Sequence, residues 1–173
     1  DMEVFAASLP GAQLVCVVHT SNVLAVENPI ASIIEMSHAV GAKVIIDAAQ
    51  AAPHHRIDFT GLGADFVTIS SHKLCGPTGV GCLLATTEAI AEMQPFMAGG
   101  DMIETVTMEG STFQSGPPKF EAGTPKIADA IGFAAAADYL SQFDMTAVQK
   151  HIRSLAQFTA SELEKLDGVT VYG

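Results

Sequence analysis

Positive charge, cysteine and long apolar runs are all scarce in this sequence. Eight lysines and arginines stand against nineteen aspartates and glutamates in 173 residues, a formal net charge of −11. The basic residues are scattered from Lys43 to Lys165 and leave no cationic stripe to neutralise a phosphate backbone. Nucleic acids and anionic membranes are therefore not the expected partners. The three cysteines, Cys16, Cys75 and Cys82, are an odd number, and Cys16 and Cys82 lie in apolar runs that read as buried strands. No disulfide framework follows, and a reducing compartment, the cytoplasm, is expected. The apolar stretch around Ala134–Ala137 is cut short by Asp129 and Asp138, well below a membrane span. The start, Asp1-Met2-Glu3, has neither a basic nor a hydrophobic targeting region. It also lacks an initiator Met, so a piece of a longer chain is expected.

What is abundant is core material. Hydrophobic residues make up 49% and charged residues 16%, a balance that builds a large core and argues against disorder. The length suits a single domain, here residues 1–173. Residues 14–19 and 43–48 are short, nearly continuous β-branched apolar runs, as in parallel strands covered on both faces. Between them, Pro29 and the spacing of Ile30, Ile33, Ile34 and Met36/Ser37 predict a helix that Gly41 stops. A third strand is expected over 65–70 and a fourth over 80–86. The connection between them is too short for a helical crossover, so the fourth should run antiparallel. A helix is expected over 87–94, and a long surface loop from Pro95 to Pro118 that packs on another chain. Two more helices follow. Over 125–143, Ile127, Ile131, Phe133/Ala134 and Leu140 mark a face; over 144–166, Asp144 is the N-cap. Residues 169–172 read as the start of a further strand, a second sign of a longer chain. The fold class is α/β, a mixed but mainly parallel sheet flanked by helices.

In open α/β sheets, ligands bind beyond the carboxyl ends of the parallel strands. That rule selects His19, Asp47 and the segment Ser70-Ser71-His72-Lys73. Alone, Asp47 would pass for a turn or cap residue and Lys73 for a solvated loop lysine. Other motifs fail on specifics. Gly76-Pro-Thr-Gly-Val-Gly81 is followed by Cys82 and a strand, not by the Lys-Ser/Thr and helix of a phosphate loop. His54-His55 has no second cluster at ligand spacing, so it reads as a surface pair and no metal site is expected. No Gly-x-Ser-x-Gly elbow is present. Cys75, near Lys73, reads as structural or incidental rather than nucleophilic.

The set as a whole says more than its members. His19-Thr-Ser-Asn22, Asp47-Ala-Ala-Gln50, Ser70-Ser-His72-Lys73-Leu-Cys-Gly-Pro-Thr-Gly-Val-Gly81, Gly99-Gly100-Asp-Met-Ile and Phe120-Glu-Ala-Gly-Thr124-Pro occur in this order. Together they resemble the class V, fold type I enzymes that use pyridoxal 5'-phosphate. More narrowly, they resemble the cysteine desulfurases of the SufS and selenocysteine lyase type. The resemblance covers essentially the whole chain, and implies that it is the central part of the large cofactor-binding domain. Family members carry, before the equivalent of residue 1, a phosphate-binding loop and a ring-stacking histidine. After the equivalent of residue 173 they carry a small domain with the sulfur-accepting cysteine and the carboxylate-binding arginine.

The resemblance also implies roles. Lys73 would hold the cofactor covalently through its amine and then carry the proton at the substrate α-carbon. Asp47 would face the pyridinium nitrogen; Asn22 and Gln50 would contact the phenolic oxygen, and Ser70 and His72 the phosphate. Thr124 would reach the partner's cofactor across a homodimer interface. The implied reaction takes sulfur from L-cysteine, leaves alanine and hands persulfide sulfur to an acceptor protein, for iron–sulfur cluster assembly or a related pathway. The alternatives are a selenocysteine lyase, a kynureninase-like or aminotransferase-like enzyme of the same class, or an inactive folded fragment. The sequence differs from the usual pattern at Ser71, where glycine is common, and at Cys75, where an aromatic residue is.

Overall fold

The computed structural model describes residues 1–172. Strands β1 (Leu14–Val18), β2 (Lys43–Asp47), β3 (Phe66–Ser70) and β4 (Gly81–Ala85) form one sheet in that order. β1, β2 and β3 are parallel, and β4 returns antiparallel to β3. The expected mixed sheet is therefore present, with strand ends within one or two residues of those read from the sequence.

Register sorts the side chains onto two faces, because successive residues of a strand point to opposite sides. Val15 aligns with Val44, Val17 with Ile46, and Ile46 with Val67. Val44, Ile46 and Val67 are fully buried. They form the core cluster with Ile30 and Ile34 of helix α2 (Ile30–Ala39). Burying each such side chain contributes about 1.5–3 kcal/mol. Within α2 the buried positions Ile30, Ile33, Ile34 and Ser37 recur at helical spacing. Ser37 meets burial by donating its hydroxyl to the Ile33 carbonyl at 2.6 Å. Gly41, at φ +80°, makes the left-handed turn into β2.

The opposite face carries Cys16 and Val18 of β1, Asp47 of β2, and Thr68 and Ser70 of β3. It is the open side: Leu14, Cys16 and Val18 are exposed. The expectation that Cys16 is buried is thus corrected. The continuous apolar run of β1 suggested two covered faces, whereas only its Val15 and Val17 side packs on the core. Cys82, on the covered side of β4, is half-buried, and that burial pushes its thiol pKa up.

Other elements complete the chain. Helix α1 (Met2–Ser8), absent from the sequence reading, is capped by the Asp1 side chain. A short helix α3 (Phe59–Leu62) precedes β3, and α4 (Thr87–Glu92) follows β4. The stretch 95–118 is not the structureless loop expected. Ile103–Val106 (β5) and Ser111–Phe113 (β6) pair as an antiparallel hairpin, and Met102 beside it is fully buried. Its turn is closed by Thr107 N–H donating to the Gly110 carbonyl at 2.8 Å, and its strands by a 2.6 Å hydrogen bond between the Thr105 and Thr112 hydroxyls. Helices α5 (Ile127–Ser141) and α6 (Met145–Leu163) lie where expected, and Asp144 caps α6 through the Thr146 N–H. Only part of the expected face of α5 packs: Phe133 and Leu140 are half-buried beside the buried Ala136, while Ile127 and Ile131 are exposed. Residues 169–172 form no strand.

Candidate active site

The carboxyl ends of β2 and β3 lie side by side, with Asp47 and Thr68 as register partners. The Asp47 carboxylate accepts from the Ala49 N–H at 2.9 Å and from the Thr68 hydroxyl at 3.4 Å. A carboxylate ending an apolar strand would be costly if enclosed without partners. Here it stands exposed on the open face of the sheet, with both bonds fixing its direction.

Lys73 closes a 3-10 turn, Ser71–Lys73, that directly continues β3. The Ser71 carbonyl accepts from the N–H groups of Leu74 at 2.8 Å and Gly76 at 3.0 Å, so the turn is pinned from inside. Cys75 between them takes φ +59°, an unusual conformation for a side chain-bearing residue, and its thiol is exposed. The Ser71 side chain is fully buried, and its hydroxyl finds no partner among the described residues. It presses on Gly76, where any Cβ would come within 2.3 Å of it. On the site side, the Ser70 hydroxyl and His72 Nδ1 are 3.0 Å apart. If Ser70 donates, Nε2 of His72 carries the ring proton and is free to donate to an anion.

The structure thus brings Asp47, Ser70, His72 and Lys73 to adjoining strand ends. Asn22 and Gln50 share the wall of a neighbouring cleft of about 290 Å³ that also holds His54 and His55. Thr124 stands apart, exposed in the segment before α5. Two segments singled out in the sequence meet there. Gly123 N–H donates to the Gly100 carbonyl at 2.9 Å. A Cβ on Gly99 would lie 3.0 Å from the 122–123 backbone, a tight contact that a side chain here could make only if that backbone shifted. The same segment sets the Lys126 ammonium against Gly79, in the loop that follows Lys73. Sequence reasoning missed Thr68 and Lys126. Thr68 could have been found from strand register with Asp47, while nothing local marks Lys126.

A primary amine, a carboxylate, a hydroxyl and an imidazole at two strand ends match the needs of pyridoxal phosphate: an amine for its aldehyde, an anion for its ring nitrogen and donors for its phosphate. Asp47, Ser70, His72 and Lys73, on adjoining ends of β2 and β3, supply that donor set. Among the described residues, no group of three or more His, Cys, Asp or Glu side chains could hold a metal ion. No helix among them is long and apolar enough to cross a membrane.

Residues 2–173 match the family described as Aminotransferase class-V, and the chain belongs to it. Pyridoxal phosphate is the cofactor of this family. The chain is 44% identical over 161 residues to a cysteine desulfurase of Haloferax volcanii, covering 93% of this chain and 38% of that protein. It is 42% identical over 162 residues to a cysteine desulfurase of Escherichia coli, covering 93% of this chain and 40% of that one. Among solved structures, a cysteine desulfurase of Escherichia coli superposes with a TM-score of 0.92 at 36% identity, covering 97% of this chain and 42% of the other. An apo cysteine desulfurase of Thermococcus onnurineus does so with a TM-score of 0.90 at 34% identity, covering 95% and 42%. The chain therefore spans about two fifths of the length of these relatives.

Proposed function

We propose that this chain is the central part of the large domain of a pyridoxal phosphate-dependent cysteine desulfurase, which takes sulfur from L-cysteine and leaves alanine. The carrying observation is the placing of Asp47 and the Lys73 turn on adjoining ends of β2 and β3. The relatives' names support the substrate. Pyridoxal phosphate, when bound, supplies an electron sink for negative charge at the substrate α-carbon.

The chain's own residues have distinct parts in this reading. Asp47, oriented by Ala49 and Thr68, presents a fixed negative charge to the ring nitrogen, which costs no reorganisation during reaction. Lys73 supplies the amine that anchors the cofactor, and afterwards takes and returns the proton at the substrate α-carbon. Ser70 and His72 hold the phosphate; Asn22 and Gln50 orient the phenolic edge. Thr124 serves the partner's site in a homodimer, and a soluble acceptor protein in the cytoplasm receives the sulfur for iron–sulfur cluster assembly. Borohydride reduction of the full-length holoenzyme followed by peptide mapping tests the anchor. The label is expected on Lys73, and a label on any other lysine overturns the assignment. Alanine release from L-cysteine tests the reaction.

A further inference from the structure

The segment that carries Asn22 is gripped by a helix far along the chain. Thr20 and Glu27 are antiparallel bridge partners. Ser21 N–H donates to the Val26 carbonyl and Asn28 N–H to the His19 carbonyl, both at 2.9 Å. Residues 20–27 thus make a narrow hairpin with Asn22 in its turn and Glu27 on its returning limb. The hairpin buries little of its own: Val23 is 80% exposed, and Ala25 sits at φ +55°. A segment with so few buried contacts has low local stability unless something else holds it.

What holds it is His55. Its Nδ1 lies 3.0 Å from Gln149 Nε2 of α6, a pair 94 residues apart in sequence, and its Nε2 lies 3.1 Å from Glu27 Oε1. The carboxylate partner fixes one role: Glu27 only accepts, so Nε2 carries a hydrogen and donates it, while Nδ1 pairs with the Gln149 amide. Arg153, one turn beyond Gln149, approaches the same carboxylate at 4.0 Å. The His19 ring packs on His55 with centroids 5.2 Å apart. Burial lowers the His19 pKa, against a weaker opposing effect of Glu27. His54 is exposed, but His55 is not the surface residue the pair suggested: only 18% of its side chain is exposed, and buried hydrogen bonds are costly to leave unmade.

We propose that His55 is a positioning residue: the chain Gln149–His55–Glu27 ties the hairpin 20–27 to α6 and thereby sets the place of Asn22. The consequence for the cofactor rests on the reading of Asn22 as a cofactor contact; the tie itself does not.

Three measurements on the full-length protein test this. Nitrogen-detected NMR of the histidine rings should show a proton on His55 Nε2, shared with Glu27, and an unprotonated Nε2 overturns the tie. Gln149→Leu keeps the helix and the side-chain volume. It should speed hydrogen exchange at the Ser21 and Asn28 amides by about fivefold, the worth of one lost hydrogen bond. Unchanged exchange overturns the tie even if His55→Ala fails to fold. Titration of the apo protein with pyridoxal phosphate should show affinity weakened by about fivefold in Gln149→Leu and in Glu27→Ala. Glu27→Gln keeps an acceptor oxygen and should bind as the unmodified protein does. Faster exchange with unchanged affinity overturns the positioning role. Unchanged affinity in Asn22→Ala overturns the reading of Asn22, and leaves the ring-proton and exchange results to decide the tie.

Discussion

Thr68 faces Asp47 across the parallel pair β2–β3, and its hydroxyl donates to the carboxylate that the proposed mechanism places at the ring nitrogen. Asp47→Ala should therefore lower kcat in the full-length enzyme by about 10²–10³-fold, while cofactor retention changes much less. Thr68→Val removes one orienting bond and should cost about 1 kcal/mol, a loss of roughly fivefold in kcat. Steady-state kinetics with L-cysteine, beside cofactor content from the visible spectrum, measures both. Near-normal turnover in Asp47→Ala would remove Asp47 from the site.

The Ser71 hydroxyl is buried with no partner among the described residues, two positions before Lys73, the proposed anchor. Leaving such a group unpaired costs about 1–3 kcal/mol. Ser71→Ala should accordingly leave the fold as stable as before or raise stability by about 1 kcal/mol. Gly76→Ala should do the opposite, because its methyl would lie 2.3 Å from the Ser71 oxygen. The double change Ser71→Gly/Gly76→Ala should recover part of the loss. Denaturant midpoints of the three variants decide, and equal stability of Gly76→Ala and the unmodified protein would contradict this packing.

Ala25 stands in the left-handed region with its side chain exposed, so it bears the steric cost without any packing return. Ala25→Gly relieves that cost and should raise the unfolding free energy by about 0.5–1 kcal/mol at unchanged m-value. A fall in midpoint would show that Ala25 makes a contact that outweighs its strain.

Asp65 gives the fold an acid limit. Burial pushes its pKa up, but hydrogen bonds from His38 Nε2 at 2.9 Å and Val44 N–H at 2.8 Å, with the charges of His38 and Lys43, outweigh burial and bring it below 3.8. A depressed carboxyl pKa stabilises the fold at pH values above the unfolded value and loses that contribution as pH falls through the folded one. Stability should therefore drop as pH falls below about 4. Asp65→Asn should be less stable at pH 7 and show a shallower fall in acid. Parallel acid limbs in the two proteins would show that Asp65 is not the group responsible.

Much of this protein is written locally. The apolar runs at 14–19 and 43–48, the helix between Pro29 and Gly41, and the Asp144 cap each follow from a few neighbouring residues, and the structure places them within a residue or two of the reading. The antiparallel return of β4 was legible too, because a connection as short as 71–80 leaves room for little else. The hairpin at 103–113 was not. Its apolar periodicity is weak, and it forms from backbone pairing, threonine hydroxyls and the burial of Met102, which depend on partners rather than pattern.

The sequence by itself determined the family and the identity of the chemical groups, since Lys73, Asp47 and the motifs around them are recognised by residue type and order. Strand termini could be assigned as well, because hydrophobic patterning reports which stretches must leave water. Which groups touch is a different kind of fact. That Cys16 lies on an open face, that Thr68 steers Asp47, and that Gln149 reaches His55 and through it Glu27 depends on register and on contacts between residues up to 94 apart. Those contacts exist only once the hydrophobic core has fixed the elements relative to one another, because a hydrogen bond needs its two atoms within about 3 Å and no local pattern encodes that distance.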